Sequence, residues 1–258
     1  MANTFFRIRS FFSYWLDAVD EHSLHSPFLF DFYMHVVKKK YNKHGIASIE
    51  KLRQKLLRDE RSLTINDLGS QAGKEVRTIA AIARNSLSPI RFSDLYNRII
   101  QHFKSKTVIE LGTSFGINTL YLAQQKDVRV TTFEGVPEIA DIAKLTFEFS
   151  QASNIQMIQG NIDSALPAYL QSIRKVDLIF MDANHRYQPT LNYFERLMPK
   201  ISETSILIID DIHYSSEMEK AWEQIKSHKI VYGSADLFRC GVLFFDPSLN
   251  KQHVILQY

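Results

Sequence analysis

The chain has 258 residues, of which 45% are hydrophobic, so it can bury a sizeable core and is not expected to be disordered. Thirty-one Lys and Arg oppose 28 Asp and Glu. This balance does not indicate a nucleic-acid binder, whose surface is usually far more basic, although it does not exclude one. The single cysteine, Cys240, rules out an intrachain disulfide and favours a cytoplasmic location.

The first 23 residues predict an amphipathic helix rather than a signal peptide. Asp17, Asp20 and Glu21 interrupt the aromatic stretch, and no small-residue cleavage site follows. No apolar run in the sequence is long enough to cross a bilayer. We expect this helix to pack against the protein body or against a second subunit, which would make a homodimer. Contact with a membrane surface is the alternative.

Residues 1–104 show helical periodicity and few β-branched runs, so they predict a helical N-terminal extension. Helices are expected after Pro27, near 49–57, at about 75–84 and at about 92–103. A Gly-containing break at residues 66–75 precedes the third of these helices. We expect this extension to cap the active site and to select the substrate.

Residues 105–258 predict an α/β domain with a doubly wound, mostly parallel sheet. Short apolar runs alternate there with segments that are mostly long enough for a helix. The runs are TVIEL at 107–111, VRVTTF at 128–133, IQMIQ at 155–159, VDLIFM at 176–181, SILIID at 205–210, KIVYG at 229–233 and GVLFF at 241–245. The short link between the last two favours an antiparallel hairpin at one edge. Ligands of such sheets bind at the carboxyl ends of the strands.

The loop after the first of these strands, ELGTSFGINT, predicts a ligand contact that is not the dinucleotide pattern, because that pattern would need a glycine at Ser114. Gly112 and Gly116 let the backbone turn tightly and approach a ligand. The carboxylate of Glu110 suits a cationic group, such as an amino-acid ammonium, better than a pyrophosphate. We therefore predict binding by Glu110 and by the loop residues Gly112, Thr113, Ser114 and Gly116.

The next two strand ends offer groups that complement a nucleoside. Glu134, followed by Gly135, can accept hydrogen bonds from both hydroxyls of a ribose. Gly160, Asn161 and Ile162 follow the third strand, where a small residue and a side-chain amide can approach a purine ring and its exocyclic amine. Successive strand ends thus predict sites for an ammonium, a ribose and an adenine.

These residues resemble the class I S-adenosylmethionine-dependent methyltransferases over roughly residues 96–245. ELGTSFGINTLYLA is similar to their first motif, and Glu134 matches their acidic ribose-binding position. More narrowly, the chain resembles the O-methyltransferases related to the catechol and caffeoyl-CoA enzymes, and a bacterial group with a helical extension. The resemblance implies S-adenosylmethionine as cofactor and a Rossmann-like, seven-stranded sheet whose last strand is antiparallel.

Carboxylates stand at the ends of the fourth and fifth strands. Asp182 follows the fourth strand, Asp210 ends the fifth, and Asp211 follows it. We expect them to converge at the sulfonium end of the cofactor, which Asp182 would contact. The resemblance implies that all three hold a divalent cation, and oxygen ligands suit Mg²⁺, Ca²⁺ or Mn²⁺. Asp211 departs from the family pattern, which has asparagine there. The alternative is that these acids cap helices or bond the cofactor and loop amides without a metal.

His185 lies three residues after Asp182, where the catechol-type enzymes carry a lysine base. Histidine titrates near neutral pH and can remove a proton from a hydroxyl acceptor. We therefore predict His185 and Asp182 as catalytic residues for O-methylation of a small-molecule acceptor. Two alternatives remain at this point, namely methylation of RNA, which the basic N-terminal helices could serve, and a non-catalytic protein that only binds the cofactor.

Overall fold

The computed structural model describes residues 2–40, 46–67 and 73–258. In chain order its helices and strands are α1 Ala2–Asp17, α2 Pro27–Phe32, α3 Ala47–Leu57, β1 Ser62–Asp67, β2 Gly73–Thr78, α4 Ile79–Ser86, α5 Ile90–Phe103, β3 Thr107–Leu111, α6 Ile117–Leu122, β4 Arg129–Glu134, α7 Pro137–Phe149, β5 Ile155–Gln159, α8 Ile162–Ser172, β6 Leu178–Met181, α9 Tyr187–Leu197, β7 Ile206–Asp210, α10 Ser216–Lys226, β8 Gly233–Asp236, β9 Cys240–Phe244 and β10 Gln252–Ile255. A π-helical turn, Tyr33–Val37, extends α2, and 3-10 turns lie at Glu21–Ser23, Met198–Lys200 and Pro247–Leu249.

The chain divides into two compact units. The continuous unit is Lys40–Ser172, and the discontinuous unit combines Met1–Lys39 with Ile173–Tyr258. The predicted division at residue 104, into a cap and a catalytic domain, stays a prediction. The predicted fold class, a mostly parallel α/β sheet with helices packed against it and helices at the N-terminus, is confirmed.

In the continuous unit, β3, β4 and β5 pair in parallel in that order. Glu110 faces Thr132 in the register of the first pair, and Glu134 faces Gln159 in the second. β3 and β4 are buried along almost their whole length, as expected for apolar runs in a sheet covered on both faces. A core that includes Phe115, Tyr121 and Phe147 packs beside them. The parallel pairing places three carboxyl strand ends side by side.

The helix predicted at about 75–84 is wrong in its first half. Gly73–Thr78 forms β2, which pairs antiparallel with β1, and the helix that follows is α4. Thr78 marks the change, because its side chain accepts a hydrogen bond from the Ala81 N–H and caps α4. Val76 is largely exposed, so β2 depends on pairing with the preceding strand β1 rather than on an apolar pattern of its own. Residues 68–72 of the predicted break lie outside the described residues.

In the discontinuous unit, the strand order is β10-β8-β9-β7-β6. β6 and β7 are parallel, and β9 is antiparallel to both of its neighbours, so the predicted antiparallel strand and hairpin are confirmed. The predicted position of the hairpin at the edge of the sheet is wrong, because β10 lies outside β8. β10 pairs in parallel with β8 and was not predicted, because QHVI is only half-buried and has no continuous apolar run. The predicted number of seven strands therefore lacks β10. β8 also begins at Gly233, whereas the prediction placed that strand at 229–233.

The predicted N-terminal helix is confirmed as α1, and it has one covered and one exposed face. On the covered face, the Tyr14 hydroxyl donates to the Leu256 carbonyl at 2.5 Å, and Phe11 and Tyr14 pack against Phe238. The other face exposes five large apolar side chains, namely Phe5, Ile8, Phe12, Trp15 and Leu16. None of the described helices combines the length and the apolar character needed to cross a membrane.

Candidate active site

The loop between β3 and α6 has an unusual backbone. Gly112, Ser114 and Gly116 all have positive φ angles, of 102°, 49° and 79°. The N–H groups of Gly112 and Thr113 both donate to the Phe133 carbonyl, at 3.2 and 3.1 Å. The loop is therefore folded onto the end of β4. A left-handed conformation at the non-glycine Ser114 is costly and is typical of ligand-binding loops.

Glu110 is completely buried at the end of β3, and three donors surround its carboxylate. Asn118 donates to Oε1 at 3.0 Å, and the hydroxyls of Thr119 and Thr132 donate to Oε2 at 2.5 and 2.7 Å. A buried carboxylate needs such partners, because burial without them is very unfavourable. Glu110 thus ties β3 to α6 and β4. Its predicted contact with an ammonium group stays a prediction.

Glu134 ends β4, and backbone donors hold its carboxylate. Oε2 accepts from the Ser114 N–H at 2.9 Å, and Oε1 accepts from the Val136 N–H at 3.0 Å. Each oxygen of an ionised carboxylate can accept more than one hydrogen bond. The hydroxyls of Ser86 and Ser114 are also hydrogen-bonded, at 2.7 Å. Sequence reasoning missed Ser86, because nothing near it in the sequence indicates this contact.

Gly160 joins the same set of residues at the end of β5. Its N–H donates to the Glu134 carbonyl at 2.8 Å. Its φ angle is +145°, and a Cβ atom added there would have no heavy atom within 4 Å, so the backbone borders open space. Asn161 is exposed, and its Oδ1 accepts from the Asp163 N–H. Ser114, Glu134 and Gly160 are thus linked by hydrogen bonds, with the half-buried Gly135 and Ile162 beside them in sequence.

We expect Gly116→Ala to destabilise the protein and disturb this loop. A Cβ at Gly116 would lie 2.4 Å from Cε1 of Phe147, and the φ angle of +79° disfavours any side chain. Overpacking and backbone strain together cost roughly 2–4 kcal/mol, or a fall of about 5–10 °C in Tm. Thermal unfolding measures the loss. Adding Phe147→Leu should cost less in the variant than in the parent, because it makes room for the new atom. Strict additivity would contradict the proposed clash.

The second group of predicted residues lies in the discontinuous unit, after β6 and β7. His185 Nε2 lies 3.3 Å from Oδ1 of Asp182, and the His185 N–H donates to the Ala183 carbonyl. Asn184 and His185 both have left-handed backbones, with φ of 66° and 40°. These angles turn the imidazole back toward Asp182. Among the described residues, Asp182, His185 and Asp211 can each bring one ligand atom within 4.8 Å of the others.

The environment of His185 favours the protonated imidazole. Burial by itself lowers the pKa of His185, whereas the Asp182 carboxylate raises it. The carboxylates of Asp211 and Asp210 act in the same direction as Asp182. Together they raise the pKa of His185 to about 9. At neutral pH the imidazole is therefore protonated in the free protein.

Asp210 is paired with an arginine that the sequence did not single out. Its side chain is fully buried, and Arg239 Nη2 lies 2.8 Å from its Oδ2. Burial and the charge of Asp182 raise the pKa of Asp210 to about 7, although Arg239 acts in the opposite direction. Burial also raises the pKa of Asp211. Of the three carboxylates predicted to bind a metal, the structure brings Asp182 and Asp211 together with His185 and pairs Asp210 with Arg239.

His213, which follows β7, has both ring nitrogens occupied. Nδ1 lies 2.7 Å from Glu219 and Nε2 lies 2.8 Å from Asp236, while the ring stacks on Phe238. Burial lowers the pKa of His213, but its two carboxylate partners outweigh burial and raise it. His213 therefore has a structural role, because it links Glu219 to Asp236. Of the two histidines, His185 is the better candidate for a general base.

A family model described as a methyltransferase domain matches residues 109–212. No curated protein matches the chain. Solved structures with the same fold include a proposed caffeoyl-CoA O-methyltransferase from Staphylococcus aureus, with 17% identity, a TM-score of 0.59, and coverage of 84% of this chain and 97% of the other. An O-methyltransferase from Bacillus cereus, in complex with S-adenosylhomocysteine, has 16% identity, coverage of 83% and 94%, and a TM-score of 0.56.

The O-methyltransferase TomG from Streptomyces achromogenes, in complex with S-adenosylmethionine, shows 15% identity, coverage of 83% and 95%, and a TM-score of 0.54. Identities this low establish a shared fold and no more. The family model matches a defined part of the sequence, which starts inside β3 and ends just after β7. This part includes Glu110, Glu134 and Asp182. Residues 109–212 of this chain therefore resemble a methyltransferase domain, and the chain shares its fold with these O-methyltransferase structures.

Proposed function

We propose that this chain transfers the methyl group of S-adenosylmethionine to a hydroxyl oxygen of a small molecule. The observation that carries the proposal is the His185–Asp182 pair, which places a basic group after β6 of a methyltransferase domain. An oxygen acceptor needs such a base, because a neutral hydroxyl is a weak nucleophile. The solved structures of similar fold that are named as O-methyltransferases support the same choice.

In this proposal, the strand ends of the continuous unit bind the cofactor. Glu134 accepts hydrogen bonds from the ribose hydroxyls through its carboxylate oxygens, each of which can accept more than one hydrogen bond. Gly160 and Asn161 lie against the adenine, since the space beside Gly160 is open. Glu110 acts on the loop itself, because its three donors already enclose it.

In this proposal, His185 removes the proton. The acceptor oxygen forms a bond to the methyl carbon, the carbon–sulfur bond breaks, and the cofactor leaves as the neutral thioether S-adenosylhomocysteine. His185, once neutral, takes the hydroxyl proton, and Asp182 orients the ring and stabilises the imidazolium that forms. The divalent cation predicted from the sequence is not part of this mechanism, because Arg239 is paired with Asp210, one of its three predicted ligands.

Release of S-adenosylhomocysteine, measured with catechols and other phenols and with RNA as separate acceptors, tests the proposal. We expect turnover with at least one hydroxyl compound and none with RNA. Turnover with RNA alone, lost steeply as salt is added, would favour the RNA methyltransferase. Binding of S-adenosylhomocysteine without turnover on any acceptor would favour the non-catalytic alternative.

We also propose that the exposed face of α1 pairs with a second copy of the chain. Its five apolar side chains expose roughly 600 Å², which is at the upper limit for a monomer and approaches the ~800 Å² that each partner buries in a stable dimer. Light scattering should therefore give the mass of a dimer for the parent and of a monomer for Phe12→Glu. Leu145→Glu, an exposed apolar position on α7, serves as control and should stay dimeric. A monomeric parent contradicts the proposal.

A further inference from the structure

Arg239 lies against the two adjacent carboxylates that the sequence resemblance assigns to a divalent cation. Its Nε and Nη2 lie 3.1 and 2.8 Å from Oδ2 of Asp210, and its Nη1 lies 3.7 Å from Oδ1 of Asp211. One guanidinium group therefore pairs with both acids. Asp210 is fully buried and Arg239 is three-quarters buried, so solvent and salt screen this interaction less than they would at the surface.

The backbone fixes Arg239 in this position. Its N–H donates to the Leu237 carbonyl at 2.8 Å, and its carbonyl accepts from the Ile212 N–H at 3.1 Å. The second bond links the turn between β8 and β9 to the residue that directly follows Asp211. Phe238, within the same turn, has a left-handed φ of 65° and stacks on His213. The guanidinium is therefore held by a packed turn and not by a flexible surface loop.

A divalent cation would compete with this arginine. Mg²⁺, Ca²⁺ and Mn²⁺ bind through carboxylate oxygens, and the Asp210 carboxylate is already paired with a group that keeps its charge at every accessible pH. Removing one partner of such a buried pair leaves an uncompensated charge. The predicted ligand set of Asp182, Asp210 and Asp211 therefore does not fit a divalent cation in this chain.

We propose that the permanent charge of Arg239 replaces that of a divalent cation beside Asp210 and Asp211. A fixed cation at this point balances the two neighbouring acids and holds Asp211 in its left-handed conformation, with φ of 54°. The proposal concerns the charge balance at the end of β7 and not the acceptor. It can therefore be tested without methyl transfer, and its failure would leave the proposed function standing.

Binding of Mn²⁺, measured by the loss of its free EPR signal, tests the proposal on the parent, Arg239→Gln and Arg239→Lys. We expect Arg239→Gln to bind Mn²⁺ at least about tenfold more tightly than the parent, because the repulsion by a guanidinium a few ångström away is lost. Arg239→Lys keeps the charge and should behave as the parent does. Mg²⁺ should likewise leave the Tm of the parent unchanged.

Arg239→Gln removes the ion pair of the buried Asp210, and this variant can fail to fold. In that case added Mn²⁺ should restore the folded state of Arg239→Gln, measured by circular dichroism, because the cation supplies the missing positive charge, and it should leave the parent unchanged; failure to restore folding would count against the proposal. Two further outcomes would overturn the proposal. One is a parent that binds Mn²⁺ as tightly as the variant, for example through Asp182, His185 and Asp211. The other is a folded variant without the arginine that gains no Mn²⁺ affinity.

Discussion

His185→Gln should lower kcat about 10²- to 10⁴-fold, which is the usual contribution of a general base, with little change in KM for S-adenosylmethionine. In the parent, kcat should rise about tenfold per pH unit up to pH 9 and then level off, because His185 must lose its proton first and its pKa is raised to about 9. Initial rates measured from pH 6 to 10 show this profile.

Asp182→Asn provides the sharper test of the same assignment. It removes the side chain that contributes most to raising the pKa of His185, so this pKa should fall toward its ordinary value of 6.5. The rising part, or limb, of the plot of kcat against pH should therefore move to lower pH. The position of the limb does not depend on the absolute rate, so a merely structural role for Asp182 would not shift it. The exposed His22→Gln serves as control and should keep the parental profile. A parental limb near pH 6.5, or one that Asp182→Asn leaves in place, would contradict the assignment.

The same pKa values give the pH dependence of stability. Folding raises the pKa of His185 from 6.5 to about 9, so the stabilisation is complete below pH 6.5 and is lost as the pH rises toward 9. Asp210 acts at lower pH, because folding raises its pKa from 3.8 to about 7 and its contribution is lost as the pH rises between these two values. The Tm should therefore fall from pH 6.5 to 9, and His185→Gln should reduce the fall.

Glu134→Gln should weaken the binding of S-adenosylhomocysteine about 30- to 100-fold, which corresponds to the loss of charge-assisted hydrogen bonds to the ribose. The glutamine keeps the size of the side chain but loses the charge and half of the acceptor sites. Calorimetric titration gives the affinity, and Tm shows whether the Ser114 and Val136 contacts survive the change. The exposed Glu148→Gln on α7 is the matched control and should bind as the parent does.

A comparison of adenosine with 2′-deoxyadenosine separates the ribose contact from a general effect on the loop. The parent should prefer adenosine, whereas Glu134→Gln should bind the two nucleosides almost equally, because the partner of the 2′-hydroxyl has been weakened. Equal preference for adenosine in both proteins would assign the ribose to another residue.

The sequence predicts the strands that are buried on both faces, because their apolar runs have no other explanation. β3, β4, β6 and β7 all follow this rule. This rule fails for buried residues that lie outside strands and for strands that are only partly buried. Val231 is buried in a turn, which made 229–233 look like a strand, while β2 and β10 are only partly buried and depend on pairing with β1 and β8. Pairing of a partly buried strand leaves no continuous apolar run in the sequence.

For the site, the sequence predicts which residues stand at strand ends and not which side chains enclose them. Glu134, Gly160, Asp182 and Asp211 were predicted because a parallel sheet places ligands at its carboxyl edge. The partners of Glu110 depend on the register of β3 and β4, which sets Thr132 opposite it. Arg239 and Asp210 are 29 residues apart in the sequence and come into contact because β9 pairs antiparallel with β7. No sequence motif predicts this contact.

The most direct test of the central claim is an NMR measurement of the product formed from S-adenosylmethionine labelled with ¹³C in its methyl group. The account predicts that the label appears in a methoxy carbon of a hydroxyl acceptor, rapidly with the parent and far more slowly with His185→Gln. Label on a nitrogen or carbon atom of the acceptor, or equal rates of labelling by the two proteins, would contradict it.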